Sequence, residues 1–395
     1  MKNLQVGLIG FVVLLGAAGI TFADPWVRHT IDDESKGADG VRLADVDGDG
    51  DLDIATGWEE GGVVRAYENP GAERAAKVDA WNAVTVGKVK SAEDAVFADL
   101  DGDGSIDVVS ACEGRTRTLY AHWAPSSGAD YWSSSAWKTE KFPTSEGAQL
   151  WMFTLPFDID GDGHLDLVTG SKGPGATIGW WRSPGEGEKA RDLSAWKFKK
   201  LCDATWVMSL QAVDMDGDGD DDIVASNRKG TSARILWLEN PGGEGEWKER
   251  VVGAAGEELM FLDTVDVDED GELDVVVAAK DRKMVTLTKS GAAEFAYPEA
   301  GYGTAKAVRV VDVNGDGALD FVGTTEKAGG PRSGVFWMAG PEWRVTHDIG
   351  GPEGEKFDRI EMLDLDGDGD LDLLTCEERD QLGVVWYENP YGKAE

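Results

Sequence analysis

Short apolar runs alternate with charged, glycine-rich loops along almost the whole chain, and the alternation repeats. The runs IATG, VVSA, LVTG, IVAS, VVVA, FVGT and LLTC each follow an aspartate-rich loop. A second run follows, often aromatic and ending at a turn: VVRAYENPG, TIGWWRSPG, ARILWLENPGG, GVFWMAGP and GVVWYENPYG. Asn-Pro and Pro-Gly pairs stop a strand and start a turn. A third run often begins with tryptophan, as in WNAVTV, WKTEKF, WKFKKL, WKERVV and WRVTHDI, and a short apolar run leads back into the next loop. Each unit therefore reads as four short strands, with the aspartate loop joining the first to the second. No segment shows sustained helical periodicity.

Seven loops align without gaps, starting at Asp45, Asp99, Asp158, Asp214, Asp266, Asp312 and Asp364, at spacings of 46 to 59 residues. A period near 50 marks a propeller blade or another array unit. No fourth-strand pattern follows the last ENPYG, but Trp26-Val27-Arg28-His29-Thr30-Ile31-Asp32 resembles the fourth strand Trp343–Ile349. The N-terminal strand is thus expected to complete the last blade and close the ring, which removes the sheet edges that an open solenoid would expose. The expected fold is all-β: a seven-bladed propeller of four-stranded blades forming a single domain over residues 24–395.

Residues 1–23 read differently. A positive start (Met1-Lys2-Asn3), an apolar stretch from Leu4 to Ile20 and small residues before Asp24 describe a signal peptide cleaved after Ala23. An uncleaved anchor is the alternative, at the short limit for spanning a bilayer. The protein is then secreted, periplasmic or at the cell surface, with no membrane insertion after cleavage. The chain carries 75 Asp+Glu against 38 Lys+Arg, a formal net charge of −37. That balance excludes nucleic acid as a partner. With 41% hydrophobic residues and 16 tryptophans it also excludes disorder.

The loop pattern is D-x-D-x-D-G-x-x-D. Calcium takes six to eight hard oxygens, and a glycine at position 6 allows the turn that converges them. The expected ligands are Asp45, Asp47, Asp49 and Asp53; Asp99, Asp101, Asp103 and Asp107; Asp158, Asp160, Asp162 and Asp166; and Asp214, Asp216, Asp218 and Asp222. They continue with Asp266, Asp268, Asp270 and Asp274; Asp312, Asn314, Asp316 and Asp320; and Asp364, Asp366, Asp368 and Asp372. Position 7 would add a backbone carbonyl. Acidic turns without metal are the plain alternative, but four converging carboxylates repel one another without a cation. About seven Ca²⁺ ions are expected. An EF-hand is excluded, because position 12 holds no glutamate and the flanks are strands.

These loops resemble the FG-GAP/VCBS repeat family, the propeller type found in integrin α-subunits. The resemblance runs from Trp26 to about Tyr391. It implies calcium loops on the lower face and ligand binding on the opposite, upper face.

On that upper face the loops between strands two and three fall at 58–62, 112–117, 171–176, 226–233, 279–283, 324–333 and 376–382. They carry a disproportionate share of the basic residues: Arg115, Arg117, Lys172, Arg228, Lys229, Lys280, Arg282, Lys327 and Arg379, with Glu59 and Glu60 as acidic exceptions. Loops between strands four and one should add Trp151, Trp206, Phe357, Lys306 and Arg359. Aromatic platforms beside Arg and Lys suit an anionic sugar or a carboxylate. Three function classes follow: a monomeric binding or adhesion module for a carbohydrate or protein ligand, a carbohydrate-active lyase or dehydratase, and a purely structural surface protein. His29, His122, His164 and His347 fall on strands or in a loop of the lower face, away from the expected site, and no nucleophile, phosphate-loop or catalytic zinc motif is present. Cys112, Cys202 and Cys376 are expected as buried free thiols. Cys112 and Cys376 read as the same blade position.

Overall fold

The computed structural model describes residues 26–391, except 127, 244, 289–292, 297 and 299–300; the expected signal segment lies outside the described residues. Seven four-stranded antiparallel sheets follow one another along the chain. In blade one the strands are Ala38–Ala44, Asp53–Trp58, Val63–Glu68 and Asn82–Gly87. The first strand is innermost, and the aspartate loop leads from it to the second. Short helical turns at Ala72–Ala75 and Glu188–Arg191 lie between third and fourth strands.

Blade seven shows how the ring closes. Its strands are Phe357–Leu363, Asp372–Glu377 and Gly383–Glu388, and the fourth is Val27–Asp32 from the N-terminal end. Arg28 pairs with Tyr387 and His29 with Trp386 across this junction. Gly383 has a φ of +73°, and a Cβ there would stand 2.0 Å from the Asp32 carbonyl oxygen, so only glycine lets the closing strand approach. Asp32 is buried and ties the closure into blade one. It accepts hydrogen bonds from the Tyr67 hydroxyl at 2.8 Å and from the Arg65 guanidinium.

The second strand is buried along its whole length in blades one, two, four, five, six and seven, because neighbouring blades cover both of its faces. This explains the near-continuous apolar runs after each loop. The recurring tryptophans before the fourth strands fill the outer seams: Trp137 and Trp196 are buried, and their indole N–H groups donate to the carbonyls of Tyr131 and Ala190 at 2.7 and 2.8 Å. At the axis, Phe153 of blade three meets Phe261 of blade five at 5.3 Å between ring centroids, so the core reaches across the ring.

All three cysteines are free and buried. Cys112 and Cys376 are not equivalent, however. Cys112 is the sixth residue of its strand and Cys376 the fifth. A one-residue offset places their side chains on opposite faces of the sheet.

Every first strand carries a register shift against its second strand, at Asp39/Arg42, Ala92/Asp94, Trp151/Phe153, Val207/Ser209, Leu259/Leu262, Ala305/Ala307 and Phe357/Ile360. Such bulges re-aim side chains. Here they fall at the end of the strand remote from the aspartate loops, on the upper face.

Candidate functional site

The aspartate loops fold on their own hydrogen bonds. In loop one, Asp45 accepts from the Gly48 and Gly50 N–H groups at 2.7 and 3.1 Å, and Asp49 from the Asp51 N–H at 2.9 Å. The ninth residue anchors the loop: Asp53 accepts from Val46 N–H at 3.0 Å and from Asn69 N–H at 2.8 Å. Asn69 then donates to the Leu52 carbonyl, and Asn240 and Asn389 act likewise in blades four and seven. The ENP motif is thus a clamp from the third strand onto the loop.

Three carboxylates in each of loops one to four can bring an oxygen within 4.8 Å of the others: Asp45, Asp47 and Asp53; Asp99, Asp101 and Asp107; Asp158, Asp160 and Asp166; Asp214, Asp216 and Asp218. Burial pushes Asp53, Asp166 and Asp372 up to about 7 and Asp107 up to about 8. In loop three, Asp160 Oδ1 and Asp166 Oδ2 are buried without a hydrogen-bond partner, and both oxygens of Asp370 are buried and unpartnered in loop seven. In loop three these orphaned hard oxygens belong to carboxylates that converge at this spacing, which fits a calcium ion. Two arginines reach into the clusters: Arg182 lies 2.8 Å from Asp160, and Arg191 contacts Asp101.

Loop five departs from the pattern at its fourth residue. Gly48, Gly102, Gly161, Gly217, Gly315 and Gly367 adopt positive φ there, and Glu269 is held at +59°. A non-glycine residue in this region costs roughly 1–2 kcal/mol. Glu269→Gly therefore raises stability by about 1 kcal/mol after the entropy of the unfolded chain is allowed for, read as a higher denaturation midpoint at unchanged slope. A lower midpoint would contradict the strain.

The opposite face is organised by two repeating positions. The first is six residues after the ninth loop residue, where the second strand ends. All seven blades carry a charge there: Glu59, Glu113, Lys172, Arg228, Lys280, Glu326 and Glu378. Backbone bonds fix this position at the mouth of the axis, as in Glu59 N–H to Gly37, Glu113 N–H to Ser91 and Arg228 N–H to Trp206. Blades three to five form a basic arc and the other four an acidic arc. The arcs meet at Lys172 with Glu113, and at Lys280 with Glu326 at 2.9 Å. The second position is the bulge, six residues before each loop. It holds Asp39, Glu93, Lys306 and Asp358 under the acidic arc, and Met152, Met208 and Met260 under the basic arc.

The residues expected on this face separate in space. Trp206 is half-buried and carries three cations against its ring: Lys172 at 4.6 Å, Arg228 at 4.4 Å and Lys229 at 4.2 Å. It anchors the basic arc rather than offering a bare stacking platform. Trp151 is 1% exposed, within a core cluster that includes Trp181. Phe357, Lys306 and Arg359 lie on first strands and not in loops. Carboxylates meet much of the expected basic surface: Arg228 and Lys280 both pair with Glu258, at 2.8 and 3.2 Å, and Arg379 lies 3.6 Å from Glu355. Arg117 donates to the Ala148 carbonyl. Arg115, Lys229 and Lys327 are exposed and Arg282 half-buried, and among the described residues none of the four has an ion-pair partner.

Below the mouth the axis is lined by ion pairs that sequence reading missed. Arg42 forks onto Asp94 at 2.8 and 2.9 Å, and Arg309 bridges Asp263 at 3.0 Å and Glu361 at 2.8 Å. Arg359 donates to Glu361 at 2.6 Å. Against the cost of burial, Arg359 and Arg309 hold Glu361 down to about 2. Burial, with Arg42 beside it, lowers Arg359 to about 10. The only signal for this layer was a charge recurring three residues before the loops in Arg42, Asp263, Arg309 and Glu361.

The histidines stay outside the site. His29 and His347 are on fourth strands, and His164 is in a loop of the lower face. His122 is fully buried, bonded to Ser110 and Thr139, and burial lowers it to about 3.

The FG-GAP-like repeat model matches residues 45–110, 158–225, 214–277 and 312–375, more than half of the chain. Each match runs from one aspartate loop to the next or into the strand after it. The chain belongs to the FG-GAP-like repeat family. No curated protein sequence matches it. Among solved structures this FG-GAP-like propeller is similar to virginiamycin B lyase from Staphylococcus aureus, with a TM-score of 0.53 and 10% identity over 91% of this chain and 97% of that one. It is also similar to the WD40 β-propeller domain of Doa1, with a TM-score of 0.56 and 12% identity over 93% and 97% of the two chains. BBS1N, solved in complex with ARL6DN, gives a TM-score of 0.55 and 12% identity over 94% and 98%. At such identity these likenesses concern the fold alone.

Proposed function

We propose that this FG-GAP-like propeller is an exported, monomeric binding module. Its seven aspartate loops hold calcium as scaffold, and its upper face takes a carbohydrate or protein ligand. The observation that carries this reading is the ring of seven charges divided into a basic and an acidic arc. Blades of near-equal backbone would bear near-equal residues if the position served packing alone. Instead the charge changes sign around the ring, which fits a ligand with a fixed orientation. The basic arc, with Lys172, Arg228 and Lys229 gathered on Trp206, suits a carboxylate or sulfate group. A glycan array that includes uronate and sulfated polysaccharides, run in calcium, tests this. Binding is expected to an acidic glycan, and Trp206→Ala and Lys229→Glu are each expected to weaken it at least tenfold. Unchanged binding in both variants would place the ligand elsewhere, and binding to nothing on the array would favour a protein ligand or a structural role.

One observation favours a second reading, a lyase or dehydratase acting on an anionic sugar. At the mouth, burial and the neighbouring Asp358 push Asp39 well above the usual carboxylate range. Lys306, 3.3 Å from Asp358, holds that second carboxyl down despite its burial. A neutral acid beside an ionised one is the arrangement general acid–base catalysis requires. Ultraviolet absorbance from an unsaturated uronate product would reveal the activity.

A further inference from the structure

We propose that the outer edge of blade three carries a second ligand site, suited to an acidic polysaccharide and separate from the upper face. A charge is reversed there. The third strands of blades one, four and seven end on a glutamate, Glu68, Glu239 and Glu388, which pairs with the first residue of the fourth strand. In blade four Glu239 takes Lys248 and Arg250 at 2.7 Å each, and in blade seven Glu388 lies 2.9 Å from His29. Blade three puts Arg182 at this position, opposite Lys197, and Trp180 stands opposite Lys199. Residues two apart in a strand, and those opposite across a pair, share a face. Trp180, Arg182, Lys197 and Lys199 therefore point the same way, with Lys199 at 5.4 Å and Arg182 at 5.9 Å from the centre of the Trp180 ring.

Arg182 is held by Asp160 at 2.8 Å and Asp162 at 3.4 Å, both in loop three. Lys197 and Lys199 are exposed, and among the described residues neither has a carboxylate partner. Like charges placed opposite one another destabilise a sheet. The same strand pair forms in blades one, four and seven with a glutamate, so folding does not call for the exchange. An anionic ligand offsets the repulsion. The four side chains line an open cleft of about 450 Å³, bordered by Gly243 of blade four. A second cleft of about 540 Å³ shares Arg182 and Lys197 with it and adds Lys189, which is exposed and also without a carboxylate partner among the described residues. The two clefts form one groove with cations strung along it. Cations in a row, not converged on one point, suit a polymer with an acid group on successive sugars better than a free anion. A membrane surface fits poorly, because the large exposed apolar side chains, Val27, Leu52, Val251 and Val345, all lie outside the groove.

Dextran sulfate, with uncharged dextran as the control, tests the groove on the full protein in calcium and at physiological ionic strength. Lysines are acetylated with and without the polymer and read by mass spectrometry. At saturating polymer Lys197 and Lys199 should react about ten times more slowly, while Lys77, at the same lower rim in blade one, keeps its rate. The protection should persist in Lys229→Glu, so a failure of the upper-face reading leaves this result standing. A second readout is affinity. In the Lys229→Glu background, adding Lys197→Glu and Lys199→Glu should weaken binding of dextran sulfate by about tenfold or more. The added changes should not lower the melting temperature, because Lys197→Glu gives Arg182 an opposite charge across the strand pair. Equal acetylation with and without dextran sulfate, or equal slowing at Lys77, would overturn the site. So would slowing by polyglutamate and not by dextran sulfate, since the groove would then be taking an acidic protein segment.

Discussion

Stripping divalent cations with EDTA is expected to lower the melting temperature of this propeller by about 20 °C. The size follows from linkage: an ion present at about 100 times its dissociation constant stabilises the folded state by about 2.7 kcal/mol per site. Seven such sites, one in each loop as proposed, would act on a chain whose unfolding entropy is about 2.1 cal/mol/K per residue, which gives a shift of that order. The structural reason lies in the loops. Burial raises Asp107 to about 8 and Asp53 to about 7, so these carboxyls resist ionisation in the fold, and a cation among them reverses the penalty. The net charge of −37 adds self-repulsion that bound cations would reduce. Calorimetry with and without EDTA, at matched ionic strength, is the measurement. An unchanged melting temperature would leave the loops as acidic turns and remove calcium from the account.

The second large effect concerns closure. Asp32→Ala is expected to cost about 3–5 kcal/mol, the usual range for removing one partner of a buried ion pair. Asp32 is 6% exposed, and Tyr67, fully buried, donates its hydroxyl to it while accepting from the Trp58 indole N–H at 2.8 Å. Alanine leaves that hydroxyl without an acceptor. It also leaves Arg65 with Glu34, which is exposed and 3.8 Å away. Only the N-terminal strand covers the edge of Gly383–Glu388, so the loss appears there first. Denaturation should show a lower midpoint, and hydrogen exchange should show the amides of Val384–Glu388 opening ahead of the other blades. Tyr67→Phe keeps the carboxylate with Arg65 and should cost only about 1 kcal/mol. A cost below 1 kcal/mol for Asp32→Ala would mean that strand pairing alone holds the ring.

Blade number, strand order and loop position were legible because each is written locally. Nine consecutive residues from Asp45 to Asp53 contain the turn glycines, the acceptors that fold the loop and its candidate ligands. The closing strand was legible because Trp26–Asp32 repeats a pattern found in the middle of the chain. The ion pairs along the axis were not legible, since Arg42 and Asp94, or Arg309 and Asp263, belong to different blades.

The sequence by itself determined seven repeats, their strands and the acidic chemistry of one face, because a turn and a strand depend on residues adjacent in the chain. It also placed charges on the other face without ordering them. Tertiary structure decided which of those charges stand together: Lys172 and Glu113 meet only because blades two and three are neighbours around the ring. It also decided which aromatic residue takes part. Trp151 lies seven residues before its loop and Trp206 eight, and that single step of strand parity buries one in the core and brings the other to the mouth with its three cations.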